Sequence, residues 1–206
     1  MTTRRFLSDT RGVTVIEFAI VAPVMIALIM GLGDLGYQIY ANAILTGAVQ
    51  KAGRDSTIQG AADNLATIDS KVIDQVGQLM TRPIQSCTST PTDRPSWCST
   101  RKSYTDFSSM KPEPFKDKNN NGRYDAGECF TDVNGNNQWD ADPGVSGQGG
   151  ANDVALYTVH VTYPRLFPVM TLFGWPSTVT LSAQTLLKNQ PYAIQTAPTV
   201  KDVCPK

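Results

Sequence analysis

The sequence predicts an α+β chain. It has a long N-terminal helix, apolar at first and amphipathic later, a second amphipathic helix, and a small antiparallel sheet near the C-terminus. Three observations carry this reading. From Val13 to Gly33 the chain is apolar, with Glu17 its only ionisable residue. Leu65, Ile68, Val72, Val76 and Leu79 recur at steps of three and four, the spacing of one helix face. Ala155, Tyr157, Val159, Val161 and Tyr163 alternate with Leu156, Thr158, His160 and Thr162, the period of a half-buried strand.

The apolar run comes first. At the rise of an α-helix its 21 residues span about 30 Å, the hydrocarbon thickness of a bilayer. Arg4, Arg5 and Arg11 precede it and Asp34 is the first charge after it, which places the N-terminus in the cytoplasm. The helical pattern continues beyond Asp34 through Ile39, Ile44, Leu45, Ala48, Val49 and Ala52, so one helix is expected from about Val13 to Gly53. Pro23 is expected to kink it. Gly31, Gly33, Gly36, Ala41 and Gly47 are small enough for another helix to approach closely. An ordinary single-pass anchor reads the same way. A secretory signal fits less well, because the run is long and Ala41-Asn42-Ala43 lies well beyond its end. Glu17 needs its own explanation, since a carboxylate inside such a run costs about 3 kcal/mol unless paired.

Its position supplies one. A cut after Gly12 would make Val13 the first residue, Glu17 the fifth and Phe18 the sixth. A basic leader, a glycine, four residues and then Glu-Phe opening an apolar helix resembles the processing site of type IV prepilins. The longer stretch Arg11-Gly12-Val13-Thr14-Val15-Ile16-Glu17-Phe18-Ala19-Ile20-Val21-Ala22-Pro23 resembles the start of the TadE-like family, small pilin-like proteins of the tight-adherence (Flp) pilus machinery. The resemblance implies a cytoplasmic leader at 1–12, a transmembrane helix at 13–33 in a bacterial inner membrane, and a periplasmic or extracytoplasmic domain at 34–206. It implies Gly12, Val13, Glu17 and Phe18 as the cleavage and assembly residues, with Glu17 paired to the Val13 amine of a neighbouring subunit. The implied partners are a prepilin peptidase, other pilin-like subunits, the inner-membrane assembly platform and membrane lipid.

Composition agrees with an exported, non-nucleic-acid-binding domain. The formal net charge is zero, so no global basic field draws nucleic acid. Cys87, Cys98, Cys129 and Cys204 all fall after the apolar run, where disulfides persist. Of the three connectivities, Cys87–Cys98 would close a short loop holding Pro91 and Pro95 and leave Cys129–Cys204 to staple the tail. Zinc is the alternative, but there is no Cys-x-x-Cys pair and His160 is the only histidine.

The second helix is expected from about Ala62 to Thr81. Ser86 to Lys116, rich in Ser, Thr and Pro, reads as loop. Then comes a cation-loop insertion at 117–142. Asp117, Asn119, Asn121, Asp125 and Glu128 place side-chain oxygens at positions 1, 3, 5, 9 and 12 of a calcium loop, with Gly122 at position 6 and the Arg123 carbonyl at 7. Fifteen residues on, Asp132, Asn134, Asn136, Gln138 and Asp140 repeat positions 1, 3, 5, 7 and 9. In this weaker copy Asn137 replaces the glycine and Pro143 stands where the bidentate glutamate belongs. Ca²⁺ is thus the expected cofactor, in a loop with no room for the helices of an EF-hand.

Gly144 to Gly150 reads as a flexible connector. Val179, Leu181, Ala183 and Leu187 form a second alternating strand, joined to the first by a proline-bounded apolar excursion from Pro164 to Pro176. The end of this strand, Lys188-Asn189-Gln190-Pro191, is similar to the basic-polar-acidic-Pro motif of the family, with Gln190 in place of the acid. No catalytic constellation emerges. The sequence therefore predicts a structural minor pilin (pseudopilin), the alternative being a calcium-dependent adhesion or sensing module on a generic anchor.

Overall fold

A computed structural model of the chain describes residues 13–57, 64–80, 82–87, 94–191 and 200–204. Helix α1 runs from Val13 to Ser56 without a break at Pro23. It passes the expected end at Gly53 by three residues, and the Ser56 and Thr57 hydroxyls close it by donating to the Gly53 and Arg54 carbonyls at 2.7 and 2.8 Å. Its halves live in different surroundings. Ile16, Phe18, Ile20, Val24, Leu28 and Leu32 are all more than 60% exposed, whereas Ala41, Leu45, Ala48, Val49 and Ala52 are buried. Among the described residues α1 is the one helix long and apolar enough to cross a membrane.

Helix α2 (Leu65–Gly77) buries Ile68, Val72 and Val76, the predicted stripe. It ends at Gly77 in a turn rather than continuing past Leu79, and the expected boundary residues Ala62 and Thr81 lie outside the described residues. Seven strands complete the described fold: β1 (Gln85–Ser86), β2 (Ser96–Tyr104), β3 (Phe130–Asp132), β4 (Val145–Ser146), β5 (Val154–Pro164), β6 (Thr178–Lys188) and β7 (Lys201–Val203). The main sheet has the order β1-β2-β5-β6, with β4 sharing the outer edge of β2. The β5–β6 ladder runs from Val154↔Lys188 to Pro164↔Thr178. The sheet is mixed rather than purely antiparallel, because β1 pairs parallel with β2.

Both helices lie on one face of this sheet. Tyr157, Val159, Val161 and Tyr163 of β5 and Val179, Leu181 and Ala183 of β6 point into a single core with the buried residues of α1 and α2. His160, Thr180, Ser182 and Gln184 are exposed on the opposite face, as the alternation requires.

Two stretches read as irregular from sequence form strands. Residues 96–104 contribute β2, an inner strand paired with β5 along its whole length. Register places Trp97, Ser99 and Arg101 opposite Val161, Val159 and Tyr157, so the core-facing side of β2 is largely polar. That polarity hides the period-two signal, and it is stable only because Asp69 of α2 receives it. Ser99 Oγ and Tyr157 Oη donate to Asp69 at 2.9 and 2.7 Å, and Arg101 pairs with both its carboxylate oxygens. The expected connector at 144–150 likewise supplies β4 and a buried amide, Gln148, that reaches Ser56 Oγ and Asn189 Oδ1 at 3.3 and 3.1 Å. Asn189, from the C-terminal motif, returns two bonds to the Gln148 and Gly150 carbonyls, tying the end of β6 to the end of α1.

Candidate functional site

The N-terminal motif lies at the exposed tip of α1. Gly12 and the residues before it lie outside the described residues, and Val13 opens the helix. Glu17 is exposed and Phe18 is 71% exposed, so neither is used in packing the domain. Among the described residues no lysine or arginine forms an ion pair with Glu17. A carboxylate on so long an apolar surface is costly to place in lipid unless it is paired.

The insertion builds the second site. In the first loop Asp117 Oδ2 accepts from Gly122 N–H at 2.7 Å, Asn121 Oδ1 accepts from Arg123 N–H at 2.8 Å, and the Asn119 and Asn121 amides converge on Asp125 Oδ2 at 2.6 and 2.7 Å. The second loop repeats this bond for bond. Asp132 Oδ2 accepts from Asn137 N–H at 2.8 Å, Asn136 Oδ1 from Gln138 N–H at 2.7 Å, and Asn134 and Asn136 converge on Asp140 Oδ2 at 2.8 and 2.6 Å. Asn137, at φ 62°, adopts the left-handed turn that Gly122 adopts at φ 74°. Asparagine tolerates that region, so the lost glycine does not spoil the copy.

The missing position-12 glutamate of the second loop is also present, but upstream. Glu128 closes the first loop by accepting from Lys118 and Asp125 N–H at 2.8 and 3.1 Å. Glu113 does the same for the second, accepting from Val133 and Asp140 N–H at 2.7 and 3.0 Å. Each residue pair is offset by fifteen positions: Glu113 and Glu128, Phe115 and Phe130, Asp117 and Asp132, Tyr124 and Trp139. The unit is thus a tandem repeat, Glu-x-Phe-x-Asp-x-Asn, whose two glutamates are exchanged between loops. Sequence reasoning that begins each loop at its first aspartate misses Glu113. The repeated Glu-x-Phe-x-Asp is the signal that finds it.

The two halves meet across a Phe115↔Phe130 bridge, with Tyr124 stacked on Trp139 at 4.7 Å between ring centroids. The Cys129–Cys204 disulfide and the β3–β7 ladder fasten this lobe to the tail. Glu113, Glu128 and Asp132 are all at least 96% buried, and among the described residues none has a lysine or arginine in an ion pair. No three His, Cys, Asp or Glu side chains among the described residues gather around one point as metal ligands. A cation here would therefore depend on amide and backbone oxygens as well as carboxylates, which suits a hard ion and not zinc.

The remaining cysteines differ from the expected closed loop. Cys87 and Cys98 are free thiols. Cys87 N–H donates to the Trp97 carbonyl at 3.0 Å, so the two lie side by side where β1 meets β2. Burial, with the Cys87 thiol beside it, pushes Cys98 up to about 11.

With this geometry in place, comparison with known proteins is informative for one part of the chain. No curated protein and no solved structure matches it. The family model described as TadE-like protein matches residues 12–54. The match begins at the glycine, covers both the lipid-length and the core-facing halves of α1, and stops two residues before that helix ends. Through this segment, and on the motif carried at its tip, the chain is similar to the TadE-like family.

Proposed function

We propose that the protein is a membrane-anchored minor pilin (pseudopilin) of the TadE type, structural rather than catalytic, that takes part in assembly of a tight-adherence pilus. The observation that carries this reading is the coincidence of the family match at 12–54 with a helix whose first half is bare and whose second half is core. In this account a prepilin peptidase removes residues 1–12. The helix crosses the bacterial inner membrane with its N-terminus inside, and the α+β domain stands on the periplasmic side. Glu17, unpaired by lysine or arginine within the described chain, meets the new Val13 amine of an adjacent pilin-like subunit. Glu17→Ala tests the assignment: it should leave processing intact and reduce pilus assembly, and normal assembly by the variant would refute it.

We further propose that the repeat at 113–140 holds divalent cations, with Ca²⁺ the natural choice. Support comes from the oxygen spacing of two loops and from three buried carboxylates that lack a counter-charge. A buried carboxylate without a cation is costly, and a hard ion satisfies several at once. The role would be structural, a staple that orders the lobe in a calcium-containing exterior.

A further inference from the structure

We propose that the apolar excursion between Pro164 and Pro176 enters the outer leaflet of the membrane beside α1, and that lipid acyl chains fill the cleft between them. The proposal rests on the reading of α1 as the spanning helix. From Leu166 to Trp175 the segment carries no charge. Its middle is a short 3₁₀ helix, Pro168–Phe173, that packs on α1, with Val169 and Met170 beside the apolar half of that helix. A Cβ on Gly31 would stand 2.9 Å from Met170 Cε, and one on Gly33 would stand 3.3 Å from Phe167 Cε2, so these glycines are where the excursion seats against the helix.

One buried ion pair fixes the depth. Asp34, the first charge after the apolar run, is 2% exposed and paired with Arg165, the one charged residue between Pro164 and Pro176. Arg165 also donates through Nε to the Pro176 carbonyl at 2.9 Å and lies 5.6 Å from the Trp175 ring. The charges at both entrances are thus neutralised at one level, and Gly31 lies about 4.5 Å along the helix from Asp34 on the membrane side. Beyond Arg165 the chain descends past that level alongside α1.

The excursion then presents apolar groups outward. Leu172 is 83% exposed, the highest value of any large apolar residue described, and Trp175 and Leu166 are 53% and 41% exposed. Between the segment and the helix lies a cleft of about 500 Å³ whose walls include Leu28, Leu32, Val169 and Met170 and are almost wholly apolar. The same face of α1 already requires lipid, and the cleft is continuous with it. Trp175, with an apolar ring and one N–H, suits the boundary between acyl chains and water.

The test uses the full chain reconstituted in phosphatidylcholine–phosphatidylglycerol vesicles whose acyl chains carry bromine high on the chain or near its end. Bromine quenches tryptophan on contact. Trp97 and Trp139 belong to the domain, so the quenchable emission should be lost in Trp175→Phe. Shallow bromine should quench more than deep bromine, and Leu172→Lys should reduce the effect. Equal quenching of wild type and Trp175→Phe, in protein that resists alkaline extraction, would overturn the proposal and leave the face to water or a second copy. Loss of resistance to alkaline extraction would overturn the spanning reading of α1 and this inference with it.

Discussion

At Gly53 the side chains of β6 leave no room for a Cβ on α1, and replacing it tests the packing of the domain. An alanine Cβ there would meet Thr185 Cγ2 at 2.5 Å and Leu187 Cδ1 at 2.8 Å, both closer than real contacts allow. Two effects compete. Glycine in a helix interior costs about 1 kcal/mol relative to alanine, so the substitution gains that much in propensity. Overpacking costs about 1–3 kcal/mol, and Thr185, β-branched and stiff at χ1, can yield little. Overpacking should win, leaving Gly53→Ala destabilised by about 1 kcal/mol. Gly47 is the control: it is exposed on the same helix and nothing stands within 4 Å of its added Cβ. Gly47→Ala should therefore stabilise by about 1 kcal/mol. Urea unfolding of the detergent-solubilised chain, followed by tryptophan fluorescence, should separate the variants by about 2 kcal/mol. Equal stabilities, or a more stable Gly53→Ala, would refute the seating of α1 against β6.

Burial works against the Asp69 charge, yet the bonds from Arg101, Tyr157 and Ser99 hold its carboxyl below the usual carboxylate range. Its contribution is present above the unfolded value of about 3.9 and is lost as pH falls towards the lower folded value. Asp69→Asn should flatten that acid limb, and an unchanged limb would count against the network. Arg101→Met, which leaves the half-buried carboxylate with only Ser99 and Tyr157, should cost about 1–3 kcal/mol in urea unfolding, and no measurable loss would contradict it. Calorimetric titration of chelator-stripped protein should find two Ca²⁺ per chain with dissociation constants of about 10⁻⁴–10⁻³ M. Saturation at 100 times that constant should add about 2.7 kcal/mol per occupied loop to the lobe's stability. Glu113→Gln should remove one ion; unchanged stoichiometry would sink the exchanged-glutamate reading. Finally, Cys87 and Cys98 adjoin across β1 and β2, so chain recovered from an oxidising compartment should show no alkylatable thiol after denaturation. Two alkylated cysteines would show that the pair stays reduced there.

How far the sequence speaks depends on whether one residue's environment is set locally. The helices and β5 and β6 are legible because each buries one regular face, and the residues on that face are the ones packed inward, Tyr157 and Leu181 among them. β2 is not legible, because its core-facing Ser99 and Arg101 are satisfied by Asp69, thirty and more positions away. The same holds for Glu113, which closes a loop that begins nineteen residues after it. Gln148 looks like part of a flexible linker until its partners at Ser56 and Asn189 are seen. Local pattern finds elements, and long-range polar pairing has to be read from coordinates. The excursion at 164–176 sits between these cases: its apolarity is plain in the sequence, but its seat on Gly31 and Gly33 is not.

The central claim is that this chain enters the membrane as a precursor cut between Gly12 and Val13. Intact-mass analysis of membrane-extracted protein, co-expressed with an active prepilin peptidase, tests it most directly. The account predicts a mature chain beginning at Val13, with cleavage abolished when a bulky residue replaces Gly12. A chain that still begins at Met1 or Thr2, in a membrane where the peptidase processes a control substrate, would contradict it.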